Sequence, residues 1–303
     1  MGPIFNHFLR KKRDFFDCVS DVHINNQKSA ENVIYLRDIG YSKKSDANRV
    51  DIFRPYDTSE KYPVIVNIHG GELVTGSKEF NTYFCSQLAK LGFVVFSVEY
   101  RKIPEVRVFD QIEDISRAMD FVKEIAPSFD GDMDSVYMIG DEAGAMLIVY
   151  ALALQKSQKL ASIANVTPSS LHVHAVAFIS GMFYTTKFDE IGLLIAGAAW
   201  GKDLFNMDYR RFFNPEYKEI INCLPPCILI SSEVDSFLNH TFDFVDALRA
   251  SGVHYDHQIC LDSMGITLCD SFPVVDPDME ESKDAIRCIT GFLNQYRGGD
   301  DCA

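Results

Sequence analysis

Ile139-Gly140-Asp141-Glu142-Ala143-Gly144 is the stretch that decides how this chain reads. A short apolar run, residues 136–139, precedes it, and residues 143–154 that follow are apolar at nearly every position. The first run suits a strand and the second a helix buried on all sides. Glycines stand two residues before and two residues after Glu142. That pattern suits a sharp strand-to-helix turn, because backbone crowds the central residue from both sides. A turn of this kind aims the Ala143 N–H and the helix N-terminus at one point, which favours negative charge there.

Outward from the turn, strands and helices alternate. Strands are expected at 33–36, 50–53, Tyr62–Ile68, 93–98, 173–179, 228–230 and Tyr255–Cys260. Helices are expected at 80–91, Val108–Ile125, 242–250 and 280–295. The alternation predicts an α/β fold with a mostly parallel sheet covered on both faces. Ligands in such folds bind beyond the carboxyl ends of the strands. Three ends stand out: Ile68-His69-Gly70-Gly71-Glu72, the turn at Glu142, and Ser231-Ser232-Glu233-Val234-Asp235. Residues 182–224 are long, aromatic-rich and without strand alternation, so they read as an inserted cap. Residues 5–19 have helical spacing and either pack over the body or form a lid. The expected division is an N-terminal helical cap segment, 1–30, and a main domain, 31–303, that carries the cap insertion.

The chain has 303 residues, 47% hydrophobic and 24% charged, as an ordinary globular protein does. Its 43 acidic residues exceed its 29 basic ones, for a formal charge of −14. Such a surface repels phosphate backbones and anionic membranes, so nucleic acid is not an expected partner. No apolar run reaches the ~20 residues of a membrane span. Arg10, Lys11, Lys12 and Arg13 interrupt any apolar leader, so the expected location is cytoplasmic, with the eight scattered cysteines reduced. Cys223-Leu-Pro-Pro-Cys227 is the one close cysteine pair and reads as a rigid approach to a strand.

Taken together, His69-Gly70-Gly71, Tyr100-Arg101 with Pro104-Glu105, Gly140-Asp141-x-Ala143-Gly144, Ser180-Gly181 and Asp235 carry a resemblance. The chain resembles the α/β-hydrolase superfamily, in its branch of hormone-sensitive-lipase-like carboxylesterases (α/β hydrolase fold-3), from about residue 34 to 296. The resemblance implies an eight-stranded, mostly parallel sheet flanked by helices, with a helical cap. It implies a pocket for a small-molecule ligand or ester-like substrate, no cofactor and no bound metal, and it leaves a homodimer open. Gly70, Gly71 and Ala143 would form the oxyanion hole, Asp235 would be the catalytic acid, and His69, Glu72 and Asp141 would lie about the ligand.

The chain also departs from that family. Glu142 stands at the nucleophile position, where the family has serine. The histidine position falls at about Met264, and no histidine follows His257. Glu72 replaces the usual Gly or Ala of the oxyanion loop. Ester hydrolysis in this fold needs a hydroxyl to attack and a base to take its proton. A carboxylate can attack an sp³ carbon, but water activated by a base must then clear the ester it forms. His240, just after Asp235, is the best substitute base. His172 and His174 share a strand face and could bind a metal, or serve as ordinary strand-start histidines. Glu72, Glu142 and Asp235 either share one pocket and a cation, metal or amine, or turn to solvent and to Lys or Arg. The cap aromatics Phe183, Tyr184, Trp200, Phe205, Tyr209, Phe212 and Phe213 either line a pocket or pack the cap on the body. Three readings follow: an inactive esterase homologue that keeps its pocket, a hydrolase working through Glu142 or a substitute base, and a scaffold whose site residues were replaced.

Overall fold

A computed structural model describes residues 3–27, 29–57, 60–187, 189, 192, 194–262 and 267–298. Eight strands form one sheet: β1 (Val33–Gly40), β2 (Arg49–Pro55), β3 (Tyr62–Ile68), β4 (Val94–Val98), β5 (Gly131–Asp141), β6 (Ala175–Ile179), β7 (Cys227–Ser232) and β8 (Tyr255–Cys260). Their order is β1-β2-β4-β3-β5-β6-β7-β8. β2 runs antiparallel to both β1 and β4, and every other pairing is parallel. The mostly parallel eight-stranded α/β sheet expected from the sequence is therefore present.

Successive side chains of a strand face opposite layers. Val64, Val66 and Ile68 of β3 accordingly join one buried cluster, and Ile65 joins the other. The first layer holds α3 (Val108–Ile125) and α4 (Ala143–Lys156), and the second holds α2 (Thr82–Lys90) and the helix Glu280–Leu293. Every residue of α4 from Ala143 to Leu154 is buried. That explains its lack of a polar face, since an all-apolar helix is stable in water only when covered.

Several bounds differ from the sequence expectation. The helix expected at 80–91 opens as a 3-10 turn, Lys78–Asn81, before α2. β5 begins at Gly131, because Tyr62 and Pro63 of β3 pair with Gly131 and Asp132 ahead of a register shift. The helix expected at 242–250 begins at Leu238 and ends at Ser251. A short helix α5, Gln158–Ala164, was not anticipated; the Ser157 side chain accepts the Leu160 N–H at its start.

Among the described residues of the expected cap are short helical turns, Ala196–Trp200, Gly201–Phe205, Tyr209–Phe212 and Lys218–Ile221. Their aromatics pack on the body. Trp200 meets Phe109 edge-on at 5.6 Å, Phe212 meets Phe109 at 4.9 Å, and Phe183 stacks on Phe244 at 4.0 Å. Phe205 is exposed. The N-terminal helix α1, Pro3–Asn26, is longer than the expected 5–19 and is tied down by ion pairs. Arg10 and Arg13 hold Glu105 at 2.8–3.0 Å, and Lys12 pairs with Glu72. Among the described residues no helix is long and apolar enough to cross a membrane.

Gly144 shows how tightly α4 seats on the sheet. A Cβ there would lie 2.0 Å from the Ile68 carbonyl oxygen. Backbone cannot retreat as a side-chain end can, so the clash must move α4 or β3. Gly144→Ala is expected to destabilise the fold by about 3 kcal/mol, at the upper end of overpacking costs. Equilibrium urea denaturation checks this; a loss under ~1 kcal/mol would show that α4 has slack against β3.

Candidate active site

The last residue of β5 is Asp141 and the first of α4 is Ala143, which leaves Glu142 alone at the turn. Its backbone sits at φ 42°, ψ −113°, a region that side chains with a Cβ rarely adopt. Hydrogen bonds on both sides hold it there. The Glu142 N–H donates to the Ile179 carbonyl at 3.0 Å, and the Glu142 carbonyl accepts from Met182 at 3.0 Å. The loop after β3 closes over the turn so closely that a Cβ on Gly70 would lie 2.5 Å from Asp141 Oδ2.

That proximity decides where the loop amides point. The Gly71 N–H donates to Glu142 Oε2 at 3.0 Å, and the Gly70 N–H donates to Asp141 Oδ2 at 2.9 Å. Two of the three amides expected to receive an oxyanion, those of Gly70 and Gly71, are thus engaged by the protein's own carboxyl groups. Asn81 Nδ2 donates to the other oxygen of Asp141 at 2.8 Å. Burial pushes the Asp141 carboxyl up, against the hydrogen bonds from Asn81 and Gly70. Burial, then the neighbouring Asp141 charge, pushes Glu142 up to about 8, and the Gly71 hydrogen bond only partly opposes this.

His69 serves the loop's architecture. Its ring stacks on Tyr100 at 4.4 Å, and its Nδ1 lies 2.7 Å from the Gly70 carbonyl. Its Nε2 faces Glu99 Oε1 at 3.3 Å and Lys102 Nζ at 3.0 Å. Burial would raise Glu99, but the Lys102 and His69 charges outweigh it and hold that carboxyl well below the usual range.

Asp235 follows β7 and is buried. It accepts from Ser231 Oγ and from the Phe237 N–H, both at 2.7 Å, and from the Ser180 hydroxyl. Ser180 Oγ in turn accepts the Ser271 N–H at 2.8 Å. The position expected to orient a histidine is therefore joined through Ser180 to Ser271. Met264, the expected histidine position, lies outside the described residues.

A cavity of about 210 Å³ opens at Glu142. Phe16, His69, Gly70, Gly71, Phe80, Asn81, Asp141, Asp270, Ser271 and Val275 are among its lining. Of the two arrangements open to Glu72, Glu142 and Asp235, the one that turns a side chain to Lys or Arg holds for Glu72. Glu72 turns to Lys12 of α1, Asp235 is consumed by the serines, and Asp270 is the carboxylate that joins Glu142. His240 also falls away as a substitute base. Its Nε2 bonds Asp189 Oδ2 at 3.0 Å, and it does not line the cavity. Burial lowers its pKa, opposed by Asp189. His174 Nδ1 accepts the Val136 N–H at 3.2 Å, which ties that ring to the strand rather than to a metal. Among the described residues no three His, Cys, Asp or Glu side chains converge to hold a metal ion. Sequence reasoning missed Asn81, Asp270, Ser271 and the two phenylalanines. Ser180-Gly181 was noted as a family mark, and its contact to Ser271 was the available lead.

A BD-FAE family model matches residues 50–213, more than half of the chain, and the protein belongs to that family. The isoprenylcysteine alpha-carbonyl methylesterase ICME of Arabidopsis thaliana is 27% identical over 221 residues, 68% of this chain and 50% of that relative. Esterase LipQ of Mycobacterium tuberculosis is 31% identical over 117 residues, 38% of this chain and 28% of LipQ. The chain thus spans half or less of these relatives' length. The crystal structure of esterase B from Lactobacillus rhamnosis superposes with a TM-score of 0.88 at 20% identity, over 97% of this chain and 95% of that one. An esterase of the bacterial hormone-sensitive lipase family gives 0.70 at 18% identity, over 93% and 90%. These likenesses establish the α/β-hydrolase fold.

The environment of Glu142 makes a stability prediction. Its folded pKa, about 8, lies above the ordinary 4.5, so folding binds a proton between those values. The stability it lends is full below about 4.5 and is lost as pH rises through about 8. Urea unfolding across that window should show a steeper decline in the parent than in Glu142→Gln. Equal slopes would place the proton on another group.

Proposed function

We propose that this chain is an esterase-fold protein that has lost serine-esterase catalysis and keeps its cavity for a small-molecule ligand. The observation that carries the reading is the hydrogen bond from Gly71 to Glu142 Oε2. A carboxylate at the elbow cannot serve as a serine nucleophile, and here it also occupies an amide that would stabilise the oxyanion. Gly70, Gly71 and Ala143 remain the oxyanion-hole residues by position, with Glu142, Asp235 and Met264 at the places of nucleophile, acid and histidine. Residues 1–30 act as the covering segment and 182–224 as the cap. The ligand would be ester-like, the class named by the esterase relatives.

A second reading has its own support. Glu142 has a carboxyl raised to about 8, within the range useful to a general acid or base, and shares a cavity with the Ser271 hydroxyl. In that case the chain is a hydrolase with rearranged machinery.

Short-chain p-nitrophenyl esters separate the two. The expected result is neither a burst nor turnover above buffer. Glu142→Ser alone should restore little, because no base stands ready to activate the hydroxyl. Glu142→Ser with Met264→His should restore measurable hydrolysis, since members of a triad act as a unit. Turnover by the parent protein that Glu142→Ala abolishes would favour the second reading.

A further inference from the structure

α1 meets the body largely through charge. Among its described side chains only Leu9 and Ser20 are buried. Lys12 and Arg13 are half-buried, while Phe8 and Phe15 are exposed. That departs from the ordinary amphipathic helix, whose charges face water. Lys12 pairs with Glu72. Arg13 grips Glu105 with two parallel bonds, Nη1 to Oε2 at 2.8 Å and Nη2 to Oε1 at 3.0 Å, and Arg10 Nε donates to the same Oε1 at 3.0 Å. Bidentate arginine pairs in a network are the surface ion pairs that carry measurable stabilisation. The C-terminal end of α1 is held differently. Gln27 Nε2 donates to the Phe80 carbonyl at 2.7 Å, Gln27 Oε1 accepts the Tyr83 N–H, and the His23 ring lies 4.4 Å from that of Phe80. None of these three contacts is an ion pair.

Open space lies beneath the helix. Phe16 lines the cavity of about 210 Å³ at Glu142, and Arg13, Asp17 and Ile24 line a second cavity of about 740 Å³ that reaches Glu99 and Lys102. A helix that spans cavities gives up less packing when it lifts than one seated in a filled core. We propose that α1 is a lid on the Glu142 cavity, latched by Lys12 on Glu72 and by Arg10 and Arg13 on Glu105, and pivoting on the contacts of His23 and Gln27. The inference rests on the reading of residues 1–30 as a covering segment and goes beyond it by naming what holds the cover shut. Opening withdraws the Phe16 ring from the cavity wall. The proposal also gives Glu72 a role: the carboxyl that stands in place of a small residue in the loop after β3 is the keeper of the latch.

A charged seat can be undone without unfolding, because water resolvates both partners of an ion pair when it breaks. Such a latch is also sensitive to salt. The Debye length falls from ~10 Å at ~0.1 M to ~3 Å at ~1 M, so the pairs of α1 weaken while the contacts of Gln27 and His23 do not. Screening should raise the open population of α1 roughly three- to tenfold, the scale of a few surface pairs.

Hydrogen exchange of the whole chain, read by mass spectrometry, tests the latch with no ligand present, so its failure is told apart from failure of the pocket reading. Between about 0.05 and about 1 M NaCl, exchange in residues 8–18 should speed roughly three- to tenfold, while β3 and β5 keep their protection. Glu105→Gln and Lys12→Glu should each produce the same change at low salt. Lys12→Glu combined with Glu72→Lys should bring protection back, since the pair returns with its signs exchanged. A thiol placed in the cavity lining, Val275→Cys, reports access. Its labelling by N-ethylmaleimide, separated from the native thiols by peptide mass, should follow α1 exchange across salt and variants. Exchange of α1 that responds to neither salt nor substitution would overturn the proposal. No recovery in the charge-swapped variant would overturn the latch at Glu72. Faster α1 exchange with unchanged labelling would show that α1 does not gate the cavity. Loss of protection in β3 and β5 by the same factor would make the ion pairs a prop of the whole fold and overturn the lid.

Discussion

The structure turns on the close seating of the β5–α4 turn beneath the loop that follows β3. Gly144 touches the Ile68 carbonyl, and Gly70 lies against Asp141 and Glu142. With no Cβ at either glycine, the two chain segments approach until side chains of one reach amides of the other. The unfavourable backbone of Glu142 persists because hydrogen bonds to Ile179 and from Met182 fix it on both sides. In a fold whose turn carried a small hydroxyl, the same approach would leave the Gly71 amide free for a ligand's oxygen, while Gly70 stayed on Asp141. A side chain with a carboxyl at that distance instead reaches the Gly71 N–H itself. Glu142 therefore brings a carboxyl group to the place where the Gly71 N–H points.

The acid position shows a parallel rearrangement. A buried carboxyl needs donors, and Asp235 finds them in Ser231, the Phe237 N–H and Ser180. Ser180 then accepts from the Ser271 backbone, so this chain of hydrogen bonds fixes one wall of the cavity. Asp235 is thus joined to the cavity wall through Ser180 and Ser271. Burial still raises its pKa, opposed by the Ser180 and Ser231 hydrogen bonds.

Much of this was legible in the sequence, for physical reasons that differ by element. The all-buried helix at 143–154 and the strands at 62–68 and 255–260 announced themselves through periodicity and glycine placement. The turn at Glu142 was legible because glycines at 140 and 144 have few other uses at that spacing. Boundaries set by pairing rather than by side-chain pattern were not, as with the β5 extension that Tyr62 and Pro63 recruit. The partners of charged side chains were also illegible. Glu72 meets Lys12 across 60 positions of chain, and Asp270 approaches Glu142 across 128, distances that no local pattern spans. Proximity to Asp235 in sequence made His240 attractive, yet the helix Leu238–Ser251 directs its ring to Asp189.

Electrostatics then sets Asp141 and Glu142 apart, although they are adjacent in sequence. Asp141 has a donor on each oxygen, Asn81 and Gly70, which favours its charged form against burial. Glu142 has one such donor and faces the charges of Asp141, Glu72 and Asp270. An ionised Asp141 makes a second negative charge beside it harder to place, which adds to burial in pushing the Glu142 carboxyl up. A protonated Glu142 lowers the negative charge of a cavity that Asp141 and Asp270 also line. The difference between the two carboxyl groups follows from Gly71 supplying Glu142 a single donor where Asp141 has two.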